Sequence, residues 1–199
     1  MSVTDLYIAL IPDKPIGEVY PPKRQEYIKS ASNKKLISQR YWVWKLLEYA
    51  LKNSFGFDFK EIEFKLNKQG RWSSDKCFFS LSHSKNVVAV AVADSPVGVD
   101  IECMERSVSD TLYKKILTDK EISEYINMEK SEQKNYLIEK WTAKESLFKM
   151  GEDKLFQPKK TETNRNIYND RMVFSDITFG FCVTNENIEN LRIFKNIEL

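Results

Sequence analysis

The sequence predicts an α+β fold in two similar α+β halves, residues 1–103 and 104–199, each with antiparallel strands packed on helices. Three observations predict it. Stretches rich in β-branched residues recur in both halves, each half carries one long run of helical periodicity, and turn-forming residues separate them. At 199 residues the chain can bury a core either as one large domain or as two halves of about a hundred residues each. No sequence repeat accompanies the shared pattern, so the halves are pseudo-duplicated in structure only.

In the first half, Val3 to Ile11 reads as a strand closed by Pro12, followed by a loop carrying Pro15, Gly17, Pro21 and Pro22. A short helical stretch near Gln25 to Ser30 leads to a helix over about Ser32 to Asn53. On it Leu36, Ile37, Val43, Trp44, Leu47, Ala50 and Leu51 share one arc. Arg40 falls inside that arc, where a guanidinium needs compensation: snorkelling, a buried acid, or a bidentate phosphate contact. Asp58 to Asn67 alternates like a strand, and Lys68-Gln69-Gly70-Arg71 makes a basic turn. Phe78–Ser82, Val87–Ala93 and the strand around Gly98 are expected as an antiparallel meander. Their links are His83-Ser84-Lys85-Asn86 and Asp94-Ser95-Pro96.

The second half opens on helices at Val108 to Leu117 and Asp119 to Met128, the latter started by the capping box Thr118-Asp-Lys-Glu121. A long helix covers about Glu132 to Met150. Lys154 to Asn169, rich in Lys, Thr and Asn, reads as a mobile loop with room for a short strand. Strands at Arg171–Phe174, Thr178–Thr184 and Leu191–Phe194 end the chain.

Composition excludes several classes. A net charge of +2 gives no global field for nucleic acid, so anion binding must come from local clusters. No run of about 18 apolar residues and no basic-then-apolar amino terminus is present, so neither a membrane span nor a secretory route is expected. Cys77, Cys103 and Cys182 are odd in number and scattered. They read as free thiols of a cytoplasmic protein, not as a zinc site or a disulfide framework.

The chemistry concentrates in three segments. In Val97-Gly-Val-Asp-Ile-Glu102, strand alternation puts Asp100 and Glu102 on one face and the β-branched residues on the other. Two adjacent acids repel each other unless a cation sits between them. Glu145 lies in the apolar arc of its helix with Lys144, with Lys149 at the arc's edge, four residues beyond Glu145. That spacing allows either an internal ion pair or a shared metal and phosphate site. Three converging carboxylates suit a hard divalent ion serving a phosphate. Phe79-Ser-Leu-Ser-His-Ser84 contains the one histidine, His83, among hydroxyls and strand-end N–H groups that suit an anion. A Ser–His hydrolase has no Gly-x-Ser-x-Gly elbow here.

These segments, with Trp141-Thr-Ala-Lys-Glu145-Ser-Leu-Phe-Lys149, occur in the order of three signature motifs of the 4′-phosphopantetheinyl transferases, which the chain resembles over about residues 70–150. It is similar to the longer, surfactin-synthetase-activating-like type, a monomer with two similar halves and the active site in the cleft between them. The resemblance implies magnesium-dependent transfer of the phosphopantetheine arm of coenzyme A to a serine of an apo acyl or peptidyl carrier protein, releasing 3′,5′-ADP. It implies Asp100, Glu102 and Glu145 as magnesium ligands, and Asp100, Glu145 and Lys149 as catalytic residues. Coenzyme A falls by the same resemblance to Arg40, Arg71, Ser82, His83, Lys144 and Lys149, and Glu121 matches an additional acid. Arg71 and Trp72 depart from the lysine and proline usual in the family. Lys23, Arg24 and Lys29 are further phosphate candidates, and the helix carrying Lys114 and Lys115 a candidate carrier rim. Two other readings stay open: a catalytically silent module that binds coenzyme A or the carrier, and a metal-dependent phosphohydrolase.

Overall fold

The computed structural model describes residues 3–68, 70–151, 155–163 and 166–199. Gln69 of the basic turn, and Lys154, Asn164 and Arg165 of the polar loop, lie outside the described residues. Along the chain run β1 (Thr4–Leu10), α1 (Pro22–Lys29), α2 (Lys34–Phe55), β2 (Phe64–Leu66), β3 (Trp72–Ser74), β4 (Phe78–Ser84), β5 (Val87–Ala93) and β6 (Val97–Cys103). Then come α3 (Tyr113–Ile116), α4 (Asp119–Ile126), α5 (Lys130–Met150), β7 (Ile167–Phe174), β8 (Ile177–Asn185) and β9 (Leu191–Phe194). The result is a mixed α+β fold. No helix among the described residues is long and apolar enough to cross a membrane.

Two larger sheets stack face to face. The first has the order β4-β5-β1-β9, antiparallel except for the β1–β9 pair; the second has the order β6-β8-β7 and is antiparallel throughout. The run Val-Val-Ala-Val-Ala-Val-Ala of β5 is buried at every position, as a central strand covered on both faces must be. Its Val88, Val90 and Val92 pack with Trp44, Leu47 and Leu51 of α2. Its Val87, Ala89, Ala91 and Ala93 pack with Val97, Val99, Ile101, Phe179 and Phe181 of the second sheet. α2 starts at Asn33, whose side chain accepts the Leu36 N–H at 2.9 Å, and stops at Gly56, whose φ of 70° only glycine adopts without strain.

The β6 alternation therefore has a structural meaning. Odd-numbered residues face the first sheet, while Gly98, Asp100 and Glu102 face α5. The approach at Gly98 is closest: a Cβ there would lie 1.9 Å from the Ser146 carbonyl oxygen and 2.8 Å from the Met150 nitrogen.

Several sequence expectations change. β6 does not continue a meander: β4 and β1 occupy both edges of β5, so β6 crosses over and pairs with β8. The sheets consequently do not divide at residue 103, because β6 joins the carboxy-terminal strands and β9 returns to pair with β1. Asp58–Asn67 is not one strand; the Asp58 side chain caps a 3₁₀ turn at Phe59–Glu61 ahead of β2. Val108–Leu117 shrinks to the four residues of α3, since the Ser109 hydroxyl competes for the Thr111 N–H just before it. β4 runs on through His83 and Ser84, leaving a two-residue turn with Lys85 at φ 51°. The polar loop holds a 3₁₀ turn at Pro158–Lys160, and β7 begins by Ile167.

Gly98→Ala is expected to lower stability by about 3 kcal/mol or to prevent folding, because the obstruction is helix backbone and cannot rotate away. Urea unfolding of the variant measures this.

Candidate functional site

The edge of β6 turned away from β8 has no strand partner among the described residues. Serine hydroxyls take that place: Ser80, Ser82 and Ser84 of β4 accept the N–H groups of Val99, Ile101 and Cys103 at 3.0, 3.2 and 3.1 Å. Their spacing of two matches the strand period, so one face of β4 caps one edge of β6. This ladder sets β4, carrying His83, beside the two acids of β6.

A cavity of about 500 Å³ opens at this junction. At one pole stand Asp100, Glu102 and Glu145; Arg24, Arg40, Arg71, His83 and Lys149 also line it. Asp100 Oδ1 accepts Lys149 Nζ at 2.7 Å and the Ser82 hydroxyl at 2.8 Å, while its Oδ2 is buried with no partner among the described residues. Lys149 also donates to the Val99 carbonyl at 3.1 Å and Ser82 Oγ at 3.3 Å. Glu102 accepts Arg106 at 2.5 Å and the Ser84 hydroxyl at 3.2 Å.

The charges strain one another. Burial first, and then the Asp100 charge, push the Glu145 carboxyl above its ordinary range; Lys149 opposes the rise and Glu102 adds to it. Glu102 is raised for the same two reasons against the pull of Arg106. Burial and then the nearby Lys149 ammonium hold His83 below its ordinary value, so it meets a ligand as a neutral imidazole at neutral pH. Arg24 is 2% exposed, and burial brings its pKa down to about 10. Its Nη2 donates to the Arg40 carbonyl at 2.8 Å, its guanidinium lies over the Trp44 ring at 4.4 Å, and its Nε has no partner among the described residues. Arg40 donates to the Tyr27 carbonyl at 2.8 Å and lies over that ring at 4.1 Å.

Asp100, Glu102, Glu145, Lys149, His83, Ser82, Arg40 and Arg71 thus line one cavity. Lys144 does not. It is fully buried, and its three N–H bonds go to the Ile116 carbonyl, Glu121 and the Pro158 carbonyl at 2.9, 2.5 and 2.9 Å. Neighbouring positions on a helix point about 100° apart, which turns Lys144 toward α3 and α4 while Glu145 faces the cavity. Glu121 is accordingly the partner of Lys144, with Lys140 at 3.4 Å. The Ser82 hydroxyl hydrogen is committed to Asp100. Arg71 donates to the Phe148 and Gly151 carbonyls at the end of α5, tying that helix to the turn before β3. Lys149 is paired with Asp100 across elements, not with Glu145 along the helix. Arg24 was one of three loop candidates, and the register of α1 distinguishes it: with Ile28 it forms the buried side of that helix.

Among the described residues no three Asp, Glu, His or Cys side chains gather into a ready metal-ligand set. The expected convergence of Asp100, Glu102 and Glu145 on one ion is therefore not preformed, because each strand acid holds a cation of its own. The donor chemistry nevertheless fits a hard dication: all-oxygen ligands, an unpartnered buried Asp100 oxygen, and two carboxyls raised by burial and mutual repulsion.

Residues 96–184, from just before β6 to the end of β8, match the model of the 4′-phosphopantetheinyl transferase superfamily. Over those residues, a little under half of its length, the chain is similar to that superfamily. It is 25% identical over 138 residues to 4′-phosphopantetheinyl transferase Sfp of Bacillus subtilis (strain 168), covering 66% of this chain and 59% of that protein. It is 26% identical over 144 residues to a 4′-phosphopantetheinyl transferase of Bacillus subtilis, covering 69% and 62%. A shorter match, 35% over 71 residues, joins it to 4′-phosphopantetheinyl transferase ffp of Bacillus subtilis, covering 36% and 31%. The chain thus spans about three-fifths of the first two relatives.

Glu145→Gln tests the electrostatics. A carboxyl raised on folding is uncharged, and costs nothing, below its ordinary value of 4.5; its penalty appears as the pH rises through the folded value. The variant is expected to melt at a higher temperature than the parent at pH 7–8, with the advantage vanishing as the pH falls toward 4.5. Melting curves across that range check it.

Proposed function

We propose that the chain transfers the 4′-phosphopantetheine arm of coenzyme A to a serine of an apo acyl or peptidyl carrier protein, releasing 3′,5′-ADP, with magnesium bound at the acid pole. The observation that carries this reading is the Lys149–Asp100 pair, which joins an acid pole and a cationic wall inside one cavity. The superfamily match over residues 96–184 and the named transferases among its relatives support it.

The reaction forms a bond from the serine oxygen to the β-phosphorus of the pyrophosphate and breaks the bond from that phosphorus to the bridging oxygen. The serine proton goes to Glu145, whose raised affinity for protons suits a general base. The bond electrons leave with the 3′,5′-ADP phosphate, where the Lys149 ammonium stabilises the developing charge. His83 as a neutral N–H donor, with Arg24 and Arg40 as cations, holds the 3′-phosphate. Asp100, Glu102 and Glu145 would hold the magnesium, which when bound supplies charge neutralisation to the pyrophosphate. Arg71, committed to α5, shapes the rim.

α2 packs on the first sheet and α5 on the second. A helix on each sheet supports the reading of two similar halves with the active site between them; cytoplasmic location and a monomeric state are part of the same proposal by resemblance to the longer type of transferase. The exposed Lys114 and Lys115 on α3 suit an acidic carrier.

The test is the intact mass of an apo acyl carrier protein after incubation with this protein, coenzyme A and magnesium. A gain of one phosphopantetheine arm, abolished by chelator and by Asp100→Ala, is expected. Release of 3′,5′-ADP without carrier modification would make the protein a phosphohydrolase. Binding of coenzyme A with neither product would make it a silent module.

A further inference from the structure

Glu102 differs from the acids beside it in drawing its counter-ion from the protein surface. Its Oε1 accepts Arg106 Nη1 at 2.5 Å and its Oε2 the Ser84 hydroxyl, so neither oxygen is free. Arg106 follows β6, its backbone N–H bonded to the Cys103 carbonyl at 3.2 Å, and its side chain is 40% exposed against 18% for Glu102. Lys149, the other cation at this pole, is only 25% exposed and sits among Asp100 Oδ1, the Val99 carbonyl and Ser82 Oγ. Among the described residues Arg106 has one acidic partner, and its end of the pair lies in water, where a guanidinium that leaves the carboxylate is rehydrated. Of the two cations, Arg106 is the displaceable one.

The surroundings supply a place for it to go. The Arg106 side chain borders a small recess of about 90 Å³ lined by Val108, Leu112, Leu137 and Trp141. Its aliphatic stem can rest there while the guanidinium turns to water. Trp141 also borders the main cavity, so the recess adjoins the acid pole.

We infer that Arg106 competes with a divalent cation for the Glu102 carboxylate and thereby sets how tightly the acid pole holds its ion. The inference rests on the divalent-cation part of the function proposed above. It accounts for three carboxylates lining one cavity without forming a ready ligand set. Exchange at Glu102 makes and breaks no covalent bond: the guanidinium leaves one carboxylate oxygen and the dication takes it.

The experiment titrates Mn²⁺ into the 199-residue chain, reading free Mn²⁺ by electron paramagnetic resonance, for the parent, Arg106→Gln, Glu102→Gln and the double variant. Melting curves establish that each is folded. Arg106→Gln is expected to bind Mn²⁺ about fivefold tighter, the equivalent of losing one exposed ion pair. That gain should disappear when Glu102 is also glutamine. Equal affinity in the parent and Arg106→Gln overturns the inference. So does an undiminished gain in the Glu102→Gln background, which would mark a general field effect. No Mn²⁺ uptake by any of the four overturns both the inference and the cation reading beneath it, whereas equal uptake overturns the inference alone.

Discussion

Three serine hydroxyls on β4 close the free edge of β6, and the position of the acids depends on that contact. A strand edge inside a protein must have its N–H groups satisfied, and an orphaned donor costs about 1–3 kcal/mol. Ser80, Ser82 and Ser84 meet that need where a further strand would otherwise have to lie. The cavity opens beside this ladder and is lined by Ser80, Ser82, Asp100 and Glu102 from the two strands. Ser82 adds a second link: while accepting the Ile101 N–H it donates to Asp100, so the contact that joins the sheets also orients an acid.

The cavity concentrates charge that the rest of the molecule balances. Across the chain acidic and basic residues nearly cancel, yet here three carboxylates face one another with burial on most sides. Lys149 and Arg106 hold the strand acids without relieving Glu102 or Glu145, both of which remain raised. On the opposite wall Arg24 is buried without an acidic partner among the described residues, over aromatic rings that tolerate a weakly hydrated guanidinium. Both walls cost stability in the folded protein, and both suit a ligand that carries phosphates and a metal.

Much of this was legible in the chain. Alternation alone placed Asp100 and Glu102 on one face of β6, and helical spacing placed Glu145 and Lys149 near the buried side of α5. The capping box at Thr118 and Glu121 forms as written. What alternation could not reveal was the sheet that β6 joins, since its apolar row suits either neighbour; the occupied edges of β5 decide that. Lys144 shows a second limit. A wheel reports that a residue lies in the apolar arc but not which element it meets, and for Lys144 that element is the α3–α4 layer carrying Glu121. The pairing of β9 with β1 joins residues nearly the whole chain apart, and no local pattern signals it.

The central claim, that β4 hydroxyls hold the β6 edge, is tested most directly by amide hydrogen exchange at Val99 in the parent and in Ser80→Ala. Ser80 lines the cavity but, unlike Ser82 and Ser84, has no hydrogen bond to Asp100 or Glu102 among the described residues, so the variant removes a rung of the ladder without unpairing a strand acid. The Val99 amide is expected to be strongly protected in the parent and to exchange about tenfold faster or more in the variant, the equivalent of losing one buried hydrogen bond. The amides of the β4–β5 pair should change less. Unchanged protection at Val99 would show that the β6 edge does not depend on the serine, and would contradict the claim.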